Sequence, residues 1–473
     1  MLASGQIGAR KFTEGPITPT LVRFALPLLL INLLHSLSGT WGAIWAGRVL
    51  GPDALTAVVM AMVLVYMVMG AAMGIGTAAG VAIGQSLGAG DARAVKRVAG
   101  GAVVLVLGLA LLLAVAGWVG APHIVQAMGT PAAARDFAIT HLRFTSLSMP
   151  SIFAYLVMVM MLRATGDART PLYFTLLWIG LSVLLTPLLL AGVGGWSGLG
   201  IAGLGIAGGL ASSVALGALV AYVYMGRSPI ALRGDDLRHL RPEPVLMRLL
   251  LRRGLPQALE SVLVQGSYFV LLSLVNAHGA VTAAAYAASA QLWAYVQLPS
   301  NALAAAMSAM AAMNIGANRW DRVRQIAWRG CGLSFGIAAM ATALVYGLGE
   351  WPLRLFVPAG GPVLDKAWQI NLIVLWGWTA LAATMGLFAI MRANGAMLAP
   401  MLIFALTMWA CRVPFAQLLE PWLGEAAIWW SFPFGTVCSA LAALAWYRWG
   451  TWHRRGLMLA GVDTHADEAH SGA

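Results

Sequence analysis

Charge is scarce in this chain of 473 residues: only 10% are Asp, Glu, Lys or Arg, where soluble globular proteins carry about a quarter. That shortage excludes a soluble globular domain. The three cysteines, Cys331, Cys411 and Cys438, all lie inside apolar runs, where a free thiol behaves as a small hydrophobe, so no disulfide framework or metal cluster is expected. Segments of about ten residues with strict in/out alternation are absent, which excludes a membrane β-barrel. The glycine series Gly70, Gly74, Gly76, Gly80, Gly84 and Gly88 is preceded by no strand and followed by no Gly-Lys-Ser/Thr, so it is not a phosphate loop. It reads either as a close-packing face or as a surface that slides. No small-residue cleavage site follows a short apolar core near the start, so the first hydrophobic segment reads as a retained span. The Asp, His or metal cluster of a membrane enzyme is missing, as is a pore-loop sequence. Neither an enzyme nor a channel is expected, and no cofactor or metal.

What the chain does have is apolar length, 60% of its residues being hydrophobic. Runs of about 20 apolar residues cross a hydrocarbon core of roughly 30 Å as helices, and backbone in lipid must pair internally. Spans can be drawn at roughly 21–46, 54–84, 94–119, 135–162, 169–192, 198–226, 246–277, 281–314, 322–348, 366–391, 397–419 and 425–449, with ends uncertain by two to four residues. The fold class is therefore all-α integral membrane with twelve transmembrane helices.

Met161 to Pro171 reads Met-Leu-Arg-Ala-Thr-Gly-Asp-Ala-Arg-Thr-Pro and returns at Ile390 to Pro400 as Ile-Met-Arg-Ala-Asn-Gly-Ala-Met-Leu-Ala-Pro. Arg163, Ala164, Gly166 and Pro171 recur as Arg392, Ala393, Gly395 and Pro400, a constant offset of 229 (392 − 163). Pro27 matches Pro256 at the same offset, while Gly51 matches Gly279 and Gly88-Ala89 matches Gly316-Ala317 at 228 (279 − 51). The protein is a duplication. Six spans per repeat bring both halves in from the same side, giving two six-helix bundles related by a pseudo-two-fold axis along the membrane normal, with a central cleft. The organisation that follows is a cytoplasmic segment 1–16, a first lobe 17–226, a cytoplasmic linker 227–245, a second lobe 246–450 and a tail 451–473 too polar to fold alone.

A net charge of +12 could suggest nucleic acid, but its distribution points to a bilayer. With the amino terminus inside, 23 of the 29 basic residues fall on the cytoplasmic side. Arg48, Arg135, Arg143, Arg354 and Lys366 fall outside, and Arg412 within a span. By the positive-inside rule both termini are cytoplasmic. The partners expected are the lipid bilayer and a small molecule, not nucleic acid.

Several ordered motifs carry a resemblance. They are Pro27, Ala46-Gly47-Arg48-Val49-Leu50-Gly51, Gly84-Gln85-Ser86-Leu87-Gly88-Ala89-Gly90 and the twin Arg-Ala-x-Gly-x-x-x-x-Pro. With twelve spans in a six-plus-six repeat, the chain resembles the multidrug and toxic compound extrusion (MATE) family over about residues 17 to 450. The resemblance implies V-shaped lobes and a monomer of a bacterial inner membrane that exports amphipathic, often cationic compounds in exchange for protons or sodium. The chain departs from the family where many members place an aspartate five residues before the Gly-Arg pair and it has Gly42. No acid falls in the core of the tenth span either. Hard cations want several oxygen ligands, so protons are expected over sodium.

Among seventeen Asp and Glu, only Glu260 falls well inside a span. Such a carboxylate by default marks a proton or ion path, and Pro256 one turn earlier frees a backbone carbonyl beside it. Competition between proton and substrate for Glu260 would couple them. Alternatively Glu260 is neutral and hydrogen-bonded to Ser or Gln, or paired near Arg253. Asn32 and Gln265 either line the cleft or, with Asn276, hydrogen-bond between helices, and His35 either relays protons or does the same. Trp41, Tyr66, Tyr155, Tyr268, Tyr286, Trp293 and Tyr295 either line a cleft, where aromatic faces attract cations, or pack and anchor at interfaces. Arg412 either faces the cleft or snorkels to the outer headgroups. In the first case it would favour anionic cargo, the alternative to a cationic drug. Arg163, Gly166, Pro171, Arg392, Gly395, Pro400, Pro27 and Pro256 read as architecture, the hinge of each lobe, and not as the binding site.

Overall fold

The computed structural model describes residues 12–226, 228–454 and Leu459. Most of the tail 451–473, the start of segment 1–16 and the linker residue Arg227 lie outside the described residues. The described residues form helices and turns with no strand. In chain order the helices are α1 Ile17–Leu50, α2 Pro52–Gly88, α3 Ala92–Ala127, α4 Ala132–Leu147, α5 Met149–Ala164, α6 Arg169–Ala191 and α7 Ile201–Met225. After the linker come α8 Pro244–Ala277, α9 Ala280–Gly316, α10 Trp320–Leu348, the single turn α11 Trp351–Arg354, α12 Pro362–Val374, α13 Gly377–Ala393, α14 Leu398–Ala405, α15 Val413–Leu423 and α16 Ala426–Trp449.

Every run drawn from the sequence is helical, and the interruptions have local causes. The fourth run is two helices, α4 and α5, bent by 49° at Ser148, where Pro150 in the first turn of α5 lacks the N–H that would continue α4. Its counterpart, α12 and α13, bends by 49° beside Gly377, whose missing side chain lets the Pro433 backbone approach. The eleventh run holds a π-helical turn, Leu406–Arg412, between α14 and α15, a rare form found often at functional sites. Among the described residues nine helices, with the two bent pairs, make eleven spans by length and hydropathy. The twelfth is α9, 37 residues rich in Ala. It is less apolar because it packs against α10, α12 and α13, and small residues permit that approach.

The twin glycines sit at turns that demand them: Gly166 has φ 84° and Gly395 φ 71°, and Gly51 and Gly279 have φ 87° and 95°. An L side chain resists that region, so the motif is punctuation fixed by backbone geometry. The α2 glycines serve close approach. Gly76 meets Met160, Gly80 meets the Met160 carbonyl and Gly74 meets the backbone at Gly254 of α8.

The chain divides into two compact units, residues 30–255 and residues 12–29 with 256–454. The division thus runs through α1 and α8, close to Pro27 and Pro256. In the second unit the carbonyls of Phe12, Thr13 and Gly15 accept from Asn314, Arg319 and Arg322 at 3.1, 2.9 and 2.7 Å.

In the first unit the linker is docked by charge. Asp236, in the short 3₁₀ helix Gly234–Leu240, accepts from Lys96 Nζ at 2.6 Å, and Glu243 takes a two-pronged bond from Arg97, with Nε to Oε2 at 2.8 Å. Those bonds hold both carboxyls below the usual carboxylate range, the bond from Lys96 acting on Asp236 and that from Arg97 on Glu243. Burial, then the charge of Arg238, lowers His239.

Candidate functional site

The first unit holds an open-sided cavity of about 410 Å³, within the size range of small-molecule sites. α1 supplies Asn32, His35, Gly39 and Gly42, α2 supplies Tyr66 and a column of methionines at Met62, Met69 and Met73, and α5 supplies Tyr155 and Arg163. His141 of α4 and Trp178 of α6 complete its polar and aromatic surface. The Tyr155 hydroxyl shares a hydrogen bond with Thr175 at 2.9 Å. The ring of Trp178 stands edge-on to Tyr155 and to His35, at 5.0 and 5.3 Å between centroids. None of the described lining residues is acidic. Gly42, standing where the family resemblance leads one to look for an aspartate, is a wall of this cavity.

Why the first unit is hollow is written in the repeat. Gly39, Val58 and Val65 line the cavity, and their counterparts, at 229 for the first (268 − 39) and 228 for the others (286 − 58, 293 − 65), are Tyr268, Tyr286 and Trp293. In the second unit those aromatic rings fill the interior. Tyr286 packs on Trp293, Trp429 and Phe432 at 5.7, 6.1 and 6.3 Å, and the Trp293 indole donates to Asn371 Oδ1 at 2.8 Å. Three bulky side chains in one repeat and three small ones in the other are the difference between a packed interior and an open one.

Arg412 belongs to the packed interior. It is only 2% exposed, with its guanidinium 3.6 Å from the Phe432 ring centroid and 5.0 Å from that of Tyr268. Arg412 therefore does not snorkel. The π-turn carries it inward, and Gly435 leaves room for its stem. Desolvated cation–π contacts are worth about 2 kcal/mol. They offset only part of its burial cost, since Nε and Nη2 have no hydrogen-bond partner among the described residues.

Glu260 and Arg392, both in the second unit, are joined. Nη2 of Arg392 donates to Oε1 of Glu260 at 2.5 Å, with the side chains 16% and 10% exposed. The other carboxylate oxygen, Oε2, is buried with no partner among the described residues. Neither Ser, Gln nor a neutral carboxyl is needed to explain Glu260, because the motif arginine is its counterion. Arg392 is thus more than a hinge marker. Its twin Arg163, also read from sequence as architecture, lines the cavity of the first unit.

The remaining sequence candidates are scattered. Asn32, His35 and Tyr66 meet in the first unit's cavity. Trp41, next to Gly42 on α1, turns away to donate to the Val183 carbonyl at 3.3 Å. Gln265 is exposed on α8. Sequence reasoning missed His141 and Arg163 as lining residues. The signal for Arg163 was available, since the position matching Glu260 in the first repeat is Ile31 (260 − 229), which denies Arg163 the partner its twin has.

Comparison with known proteins places these features. The MatE family model matches residues 27–188 and again 256–418, two matches whose starts differ by 229 (256 − 27). Probable multidrug resistance protein YoeA of Bacillus subtilis (strain 168) is 31% identical over 434 residues, covering 91% of this chain and 93% of that protein. Probable multidrug resistance protein YpnP of the same organism is 26% identical over 445 residues, covering 94% and 98%. In fold, the chain is similar to a crystal structure of MATE in complex with MaD3S, with a TM-score of 0.85 at 20% identity over 93% of this chain and 97% of that one.

Proposed function

The chain belongs to the MatE family of multi-pass multidrug transporters, and on that premise we propose that it is a secondary antiporter that exports amphipathic small molecules in exchange for protons by alternating access. The first unit's cavity holds the exported compound, with Asn32, His35 and Tyr66 among its contacts. Glu260 is the proton carrier. The observation that carries this reading is the half-satisfied pair, in which one oxygen of Glu260 is committed to Arg392 and the other is buried without a partner among the described residues. A buried acceptor without a partner is a place for a proton. Protonation there removes the charge that holds Arg392 and releases the end of α13, and deprotonation restores the pair. A bistable contact of this kind is what a transport cycle needs.

The transporter sits as a monomer in a bacterial cytoplasmic membrane with both termini inside, as its basic residues favour. Protons are preferred to sodium because the site offers one carboxylate where a hard cation wants several oxygens. A cationic cargo, the class expected first from sequence, would meet arginine and histidine in this cavity and no acid among the described lining residues, so the neutral and anionic classes are favoured. Filling the cavity tests its role. Val65→Trp, which restores the bulk of the second repeat, abolishes drug resistance in a pump-deficient bacterium while the protein is still made and folded, and unchanged resistance would remove the cavity from the transport path.

A further inference from the structure

Among the described residues Arg163 is a charge without a counterion. Arg163 lines the cavity, and among the described residues its buried Nε has no hydrogen-bond partner and it forms no ion pair. The twin in the other repeat shows what is missing. Arg392 has Glu260, and the matching position of the first repeat is Ile31, which is buried and 1% exposed. The first unit therefore has the arginine without the carboxylate. In the same interior it lacks the three aromatic side chains that fill the second unit.

Both differences have one complement. A molecule with an apolar, flat or chain-like body and a terminal carboxylate would replace the missing aromatic bulk and the missing counterion together. A guanidinium presents paired N–H donors that fit the two oxygens of a carboxylate, and the Tyr66, Trp178 and methionine walls suit an irregular apolar body. We infer that the first unit's cavity selects amphipathic carboxylates and that Arg163 is the residue that binds the carboxylate group. This rests on the reading that the cavity holds the exported compound.

The test uses the full chain in nanodiscs of zwitterionic lipid and two fluorescent probes, a dansylated fatty acid and its dansylated alkyl-trimethylammonium analogue of equal length. The carboxylate is expected to bind at least about tenfold tighter than the ammonium, the scale of a charge-assisted hydrogen bond. Arg163→Gln removes that preference, and Arg163→Lys, which keeps the charge but loses the fork, retains part of it. Ile31→Glu, which rebuilds the internal pair, excludes the carboxylate. Val65→Trp weakens both probes. If Val65→Trp weakens binding but Arg163→Gln and Arg163→Lys leave the carboxylate affinity unchanged, the inference fails and the cavity reading stands. If Val65→Trp changes neither probe, the cavity reading itself fails. Tighter binding of the ammonium probe to the unsubstituted chain would also overturn the inference.

Discussion

Arg392 donates to Glu260 at 2.5 Å across 132 residues of chain, so the arginine of a turn motif is the counterion of the acid deepest in a span. A pair so nearly buried is held by geometry on both sides. Removing either partner strands the other.

That gives a thermodynamic prediction. Glu260→Gln and Arg392→Gln each lower the melting temperature of the detergent-solubilised protein, at a cost of up to about 3–5 kcal/mol for a fully buried pair and less here because both side chains keep some exposure. The double substitution costs less than the sum of the two, by about 1–3 kcal/mol. Additive losses in a double-mutant cycle would show that the two groups do not support each other.

Arg412 should behave in the opposite sense. It is buried under Phe432 and Tyr268 with two nitrogens unpaired among the described residues, and replacing a buried charge by an apolar side chain of similar volume is often neutral or stabilising. Arg412→Met is expected to leave the melting temperature unchanged or raise it. Arg412→Ala lowers it by opening a cavity beside Gly435. A large fall with Arg412→Met would mean that the charge itself holds the second unit together.

The docked linker makes the first unit sensitive to acid. Docking lowers His239, Asp236 and Glu243 alike, so the folded state binds fewer protons than the unfolded one. Stability is complete above the ordinary histidine value of about 6.5 and begins to fall below it. It falls further as the pH passes below the ordinary carboxylate values of about 4 and through the lower folded ones. Hydrogen exchange of residues 234–243 should rise along that path. Asp236→Asn with Glu243→Gln raises exchange at pH 7 and flattens its dependence at the acid end, and an unchanged profile would show that these two ion pairs do not hold the linker.

The sequence carried the spans and the repeat because both are set by local chemistry. Apolar length dictates helices in lipid, and Gly166 and Gly395 recur because their turns need positive φ. Long-range pairing left no local trace. Nothing near Glu260 announces Arg392, and a straight helix drawn through Arg412 missed the π-turn that aims it inward. The cavity lay between these cases. Gly39, Val58 and Val65 against Tyr268, Tyr286 and Trp293 are visible once the halves are aligned, but listing aromatic residues drew attention to the filled unit. The hollow one is marked by the side chains it lacks.

The account turns on protonation of Glu260, and transport in proteoliposomes tests it most directly. An imposed pH gradient without sodium should drive norfloxacin movement through the unsubstituted protein. Glu260→Gln should reduce that movement to background while the folded protein still binds the drug at equilibrium. Gradient-driven transport by Glu260→Gln at the unsubstituted rate would contradict the account.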